Sequence, residues 1–150
     1  MIIGSVSEND TIEKRISITP DIAKKYLNLG FGLQISDSYG KHLGFKKSDF
    51  QELGVKTNSD NKNLIETSDI IIQMSLLDDE KLTYLKSNQT YIGVLNPYEN
   101  QNKLKELTKK NINLFSLELL PRITRAQSMD ILSSQANLAG YKAVLESFSV

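Results

Sequence analysis

The chain has 150 residues, enough for one domain that buries roughly 70% of the surface its unfolded form exposes. Its 18 basic and 18 acidic residues cancel, so no overall field draws it to nucleic acid or to an anionic membrane, and neither is expected as a direct partner. The absence of cysteine excludes disulfides, a thiolate metal site and a cysteine nucleophile, and fits a reducing compartment.

The start, Met1 to Val6, is too short and lacks the basic opening of a secretory signal, so it reads as mature, with Ile2 to Val6 as a first strand. Thr19-Pro20 reads as an N-cap followed by proline at the first helical position. Ile22, Tyr26 and Leu29 then recur on one face, and Gly30 closes the helix. Phe31 to Ser36 is a second strand. Ser48 with Gln51 three residues later reads as a capping box for a short helix ended by Gly54. Asp69 to Met74, Tyr91 to Leu95 and Ile112 to Leu117 complete five candidate strands. Asn100 to Lys110 is an amphipathic helix with Leu104 and Leu107 inward and lysines in its last turn. No apolar run approaches the eighteen or so residues that span a bilayer, so no direct membrane insertion is expected.

Near-continuous apolar strands alternating with helices predict an α/β domain: a parallel sheet of about five strands with helices on both faces, flavodoxin- or Rossmann-like. After Leu120 the pattern changes to a polar, basic loop over Pro121 to Gln127 and then a long helix over Ser128 to Phe148. Ile131, Leu138 and Leu145 repeat at sevens in that helix, with Ala136, Ala139 and Ala143 beside them. Gly140 inside it costs about 1 kcal/mol relative to alanine and therefore points to close packing against another helix. The chain stops on Ser147-Phe148-Ser149-Val150 without a terminal cap and reads as a truncation.

The segment Pro121-Arg122-Ile123-Thr124-Arg125-Ala126-Gln127-Ser128-Met129-Asp130 gathers two guanidinium groups, an amide, a carboxylate and two hydroxyls just before a helix. A helix start offers free N–H groups and a positive dipole end, and arginine forks onto phosphate oxygens, so the set suits a phosphorylated ligand. The same residues also read as a helix cap flanked by solvated arginines. Composition leaves both open.

This segment, followed by Ser133-Ser134-Gln135-Ala136-Asn137-Leu138-Ala139-Gly140-Tyr141, resembles the signature of the α subunits of proton-translocating NAD(P) transhydrogenases, and Arg15-Ile16-Ser17-Ile18-Thr19-Pro20 resembles a pattern they share with alanine dehydrogenases. The resemblance implies an alanine dehydrogenase/transhydrogenase-type N-terminal domain over residues 1–126 and, over 127–150, a helix leading to a nucleotide-binding domain that this chain does not contain. It implies NAD(H) as cofactor, contacted by Arg122, Ile123, Thr124, Arg125, Gln127, Asp130 and Ser133, with NADP(H) bound by a partner component. It further implies a homodimer on the cytoplasmic side of the inner membrane, working with β or membrane subunits that couple hydride transfer to proton translocation. No catalytic side chain is needed, because hydride passes between two nicotinamide rings while the protein supplies position. The 150-residue piece alone is expected to be inactive.

Two other readings remain. An alanine dehydrogenase-like amino or keto acid oxidoreductase has Arg15 for a substrate carboxylate, but Ser75 and Asn96 stand where that chemistry needs a lysine and a histidine. Arg15 is then expected to pair with a carboxylate near a strand end. The chain could instead serve as a non-catalytic scaffold or interaction domain. Gly30-Phe31-Gly32 follows a helix and precedes a strand, the reverse of a dinucleotide fingerprint. His42 reads as a loop residue, and Asp78-Asp79-Glu80 as a helix start, with no metal expected.

Overall fold

A computed structural model describes residues 1–148. Six strands, one more than the apolar runs suggest, form one parallel sheet: β1 (Ile2–Ser5), β2 (Gly32–Ser36), β3 (Lys56–Asn58), β4 (Ile70–Ile72), β5 (Thr90–Gly93) and β6 (Asn113–Ser116). The order across the sheet is β3-β2-β1-β4-β5-β6, a Rossmann-like arrangement with its switch point between β1 and β4. The helices are α1 (Pro20–Asn28), α2 (Lys47–Gln51), α3 (Asn61–Thr67), α4 (Asp79–Thr83), α5 (Gln101–Lys109) and α6 (Ile131–Ser147).

Alternation along the strands divides the core in two. Ile71 faces a cluster with Leu64 and Ile65 of α3, Leu82 of α4 and Leu107 of α5, while Ile70 and Ile72 join Leu33, Ile35, Ala23 of α1 and Phe50 of α2 on the other face. Helices thus cover both faces. Thr19 caps α1, its hydroxyl accepting from the Ile22 N–H at 3.4 Å with Pro20 behind it, and Gly30 leaves the helix at φ +85°. Leu29 does not continue the inward face: it ends α1 in solvent, and Leu27 packs on the core instead. The cap of α2 falls two residues earlier than Ser48. Asp49 accepts from the Lys46 N–H at 2.9 Å, because an acceptor three residues into a helix reaches back to its cap.

Asp78 caps α4 by accepting from the Lys81 N–H at 2.9 Å, and Asp79 and Glu80 occupy its first turn. His42 lies in a one-turn 3-10 helix with Nε2 2.8 Å from the Lys14 carbonyl oxygen. The last helix begins later than the periodicity suggests, at Ile131, after a separate 3-10 turn over Gln127–Met129; Ser149 and Val150 lie outside the described residues. A Cβ built on Gly140 would meet nothing within 4 Å, so no helix of the described chain provides the close packing expected there.

Candidate functional site

Two concavities are candidate sites. The first is the crevice at the switch point, of about 490 Å³, where folds of this strand order usually receive ligands. Beyond Gly4 and Ile71 the strands β1 and β4 no longer pair, and the side chain of Gln73 bridges them. Its Oε1 accepts from the Ser5 hydroxyl at 2.8 Å and the Val6 N–H at 2.9 Å, and its Nε2 donates to the Val6 carbonyl at 3.2 Å and to Glu8 at 3.1 Å. Glu8 also accepts from the Met74 N–H at 2.7 Å and from the Ser75 hydroxyl at 2.5 Å. Burial raises the Glu8 carboxyl above its ordinary range, and the bonds from Ser75 and Met74 oppose that shift without cancelling it. At the crevice mouth Glu13 grips Arg15 at both oxygens, at 2.8 and 2.7 Å, and Asp78 holds Lys81.

The expected carboxylate partner of Arg15 therefore exists, but it lies two residues back in the loop after β1 rather than at a strand end. Ser75, expected at the position of the lysine of an alanine dehydrogenase, is engaged with Glu8. No motif in the sequence marks this polar crevice. A glutamine after three isoleucines carries no signal of its own until the fold sets it between β1 and β4.

The second concavity is formed by the loop after β6. Arg122, Ile123, Thr124, Gln127, Asp130 and Ser133 line one open hollow of about 340 Å³, and Arg125 is not among its lining. Ala126, 4% exposed, is the buried pivot of the loop. Around it the backbone turns twice, with the Ala126 N–H on the Ile123 carbonyl and the Met129 N–H on the Ala126 carbonyl. Asp130 then caps α6: one oxygen accepts from the Leu132 and Ser133 N–H groups, both at 3.0 Å, and the other from the Ser133 hydroxyl at 2.6 Å. Those bonds from Ser133, aided by the charge of Arg122, hold the Asp130 carboxyl below its ordinary range.

This cap corrects one expectation. Two of the first N–H groups of α6, those of Leu132 and Ser133, are taken by Asp130 and are not free for a phosphate, which leaves the guanidinium groups as the main anion-seeking groups of the loop. Among the described residues neither Arg122 nor Arg125 has a carboxylate at ion-pair distance, whereas Arg15 does. The hollow thus offers a guanidinium without a direct ion pair, an amide and a carboxylate within one short stretch, donors and acceptors that fit one end of a dinucleotide.

Residues 4–139 match the family described as alanine dehydrogenase/PNT, N-terminal domain. The chain belongs to that family. Among the relatives it is similar to, an NAD(P) transhydrogenase subunit alpha of Rickettsia prowazekii is 37% identical over 150 residues, covering 97% of this chain and 39% of its own length. The corresponding subunit of Rhodospirillum rubrum is 32% identical, again over 39% of its length. In structure the domain matches a transhydrogenase from Sinorhizobium meliloti with a TM-score of 0.90 at 31% identity, covering 97% of this chain and 43% of that one. An L-alanine dehydrogenase matches at 0.73 and 16% identity, a likeness of fold. The chain spans about two-fifths of the curated transhydrogenase relatives named here. No helix among the described residues is long and apolar enough to cross a membrane.

Proposed function

We propose that this chain forms one wall of the NAD(H) site of an NAD(P) transhydrogenase. Residues 1–126 act as the N-terminal α/β domain, and 127–150 as the segment, containing α6, that leads to a nucleotide-binding domain beyond this chain. The observation that carries the reading is the hollow after β6, with an arginine in no direct ion pair, an amide and a capping aspartate on one loop. The names of its relatives support it. Arg122 engages the phosphate side of the dinucleotide, with Arg125 beside it, and Gln127 hydrogen-bonds near the carboxamide or ribose to orient the nicotinamide. Asp130 and Ser133 hold the loop through the α6 cap and face the ribose hydroxyls. Ile123 and Thr124 complete the wall.

Bound NADH supplies a hydride, and NADP⁺ on a partner component receives it. The loop's contribution is position and exclusion of water, so no acid or base is required of it. In the assembled enzyme the subunit works as a homodimer on the cytoplasmic face of the inner membrane, with β or membrane partners that couple transfer to proton translocation. This piece alone is inactive, since a cofactor cleft needs its second wall.

Calorimetry of NADH binding to the full-length protein, wild type beside Arg122→Ala and Gln127→Ala, tests the reading. Both substitutions are expected to weaken binding about tenfold, the loss of one charge-assisted or well-placed hydrogen bond. Unchanged binding in both would leave the loop as a helix cap and nothing more.

A further inference from the structure

Glu118 reaches where its neighbours do not. From Leu120 to Ser134 the backbone hydrogen bonds of the chain's last loop, such as Leu120 to Leu117, Ala126 to Ile123 and Ser134 to Asp130, span at most four residues. The carboxylate of Glu118 instead accepts the N–H groups of Leu95 at 2.9 Å and Asn96 at 2.6 Å, 23 and 22 residues away, on the same oxygen Oε1. Asn96 is left-handed, at φ +45°, in the turn that leaves β5. Two successive N–H groups converging on one oxygen form an anion-binding nest, and here the anion is the protein's own.

Glu118 stands in a 3-10 turn, Leu117–Leu119, directly after β6, and α6 packs back against that turn. The residue is therefore placed between the C-terminal end of β5 and both ends of the loop that carries Arg122 to Ser133. Its second oxygen, Oε2, is buried with no hydrogen-bond partner, and so is the hydroxyl of Ser116, two residues before it. A half-buried carboxylate whose inner oxygen goes without a partner is a costly choice for mere packing.

We propose that Glu118 is a positioning residue: by clamping the Leu95–Asn96 turn it fixes the root of the Arg122–Ser133 loop against the sheet, and so sets where Arg122 and Gln127 meet the dinucleotide. This rests on the reading of that loop as an NAD(H) wall. Both bonds fall on the single oxygen Oε1, so a neutral side chain with an oxygen in the same place can keep the clamp.

The test is made in the full-length protein that contains this chain. Glu118→Ala removes the clamp, Glu118→Met keeps the length without the oxygen, and Glu118→Gln keeps an oxygen at Oε1. NADH binding is measured by calorimetry, hydride transfer to an NADP⁺ analogue by steady-state kinetics, and amide exchange by mass spectrometry. Glu118→Ala and Glu118→Met are expected to raise the Kd and KM for NADH about tenfold, with kcat at saturating NADH within about twofold, since ordering the loop is then charged to binding. Glu118→Gln is expected to bind within about threefold of wild type. Exchange over residues 119–130 should quicken in the Ala and Met variants, with residues 2–5 unchanged.

Wild-type binding in Glu118→Ala and Glu118→Met overturns the proposal, as does a Gln variant as weak as they are. So does failure of both to fold while Glu118→Gln folds, because the clamp would then serve the whole sheet. Arg122→Ala separates the two readings: if it binds NADH normally, the wall itself is wrong, whereas weak Arg122→Ala with normal Glu118→Met removes only the positioning role.

Discussion

Ser133 closes on Asp130 from two directions, its hydroxyl donating at 2.6 Å and its backbone N–H at 3.0 Å. Because Asp130 is held below its ordinary range, the cap favours folding above the ordinary aspartate value near 3.8 and loses that contribution as pH falls through it and below. Circular dichroism of Asp130→Asn beside wild type is expected to show helix lost on acidification in the wild type and a weaker pH response in the variant. Parallel curves would mean the carboxylate does not cap α6 in solution.

Gln73→Leu is expected to lower stability by about 4 kcal/mol in urea unfolding, because Ser5, Val6 and Glu8 would keep their buried polar atoms and lose the amide that serves them. A cost below about 1 kcal/mol would show that water replaces the amide at the switch point.

Glu8 titrates with the opposite sign to Asp130. Its folded value is raised, so its stabilising protonated form is complete below the ordinary glutamate value near 4.5, and stability declines as pH rises from there through the folded value. Relative to Glu8→Gln, the wild type should therefore lose ground as pH rises from 4.5 through the raised folded value. A constant difference across that window would contradict the burial of this carboxylate.

Two glycines give contrasting outcomes on substitution. A Cβ on Gly93 would lie 2.6 Å from the Gln73 carbonyl oxygen, a backbone atom just beyond the neighbouring strand, so Gly93→Ala should cost about 3 kcal/mol. Gly140→Ala meets open space and should stabilise α6 in this chain by about 0.5–1 kcal/mol. If another helix packs on it in the full-length protein, the same substitution becomes destabilising there, and thermal denaturation of both forms reads the difference.

The layered fold is legible where physics leaves a local trace. Thr19-Pro20 and Gly30 bracket α1 because caps and positive φ demand those residues, and the isoleucines of β4 form an apolar run because both faces of that strand are covered. β3 leaves no such trace, since Lys56-Thr57-Asn58 is short, polar and at the sheet edge; only its register with Gln34 to Ser36 makes it a strand. Apolar runs overshoot the strand ends at Met74 and Leu117 for the same reason: pairing, not hydropathy, decides where a ladder stops. The loop of the candidate site stands out by its arginines and amide, and the structure gathers most of it around one hollow. Gln73, Glu8 and Glu118 carry no local signal because their meaning lies in partners more than twenty residues away.

The pairing of β1 with β4 joins Ile3 to Ile70, 67 positions later in the chain. At about 5–20 residues per second, a ribosome needs roughly 3–13 s after making the first strand to deliver its second neighbour. Throughout that interval one edge of the future central strand stands unpaired, an open template for another nascent chain. Substitutions in Ile70 to Gln73 should thus lower soluble yield in the cell more than their equilibrium cost suggests, and holding chaperones should recover part of it.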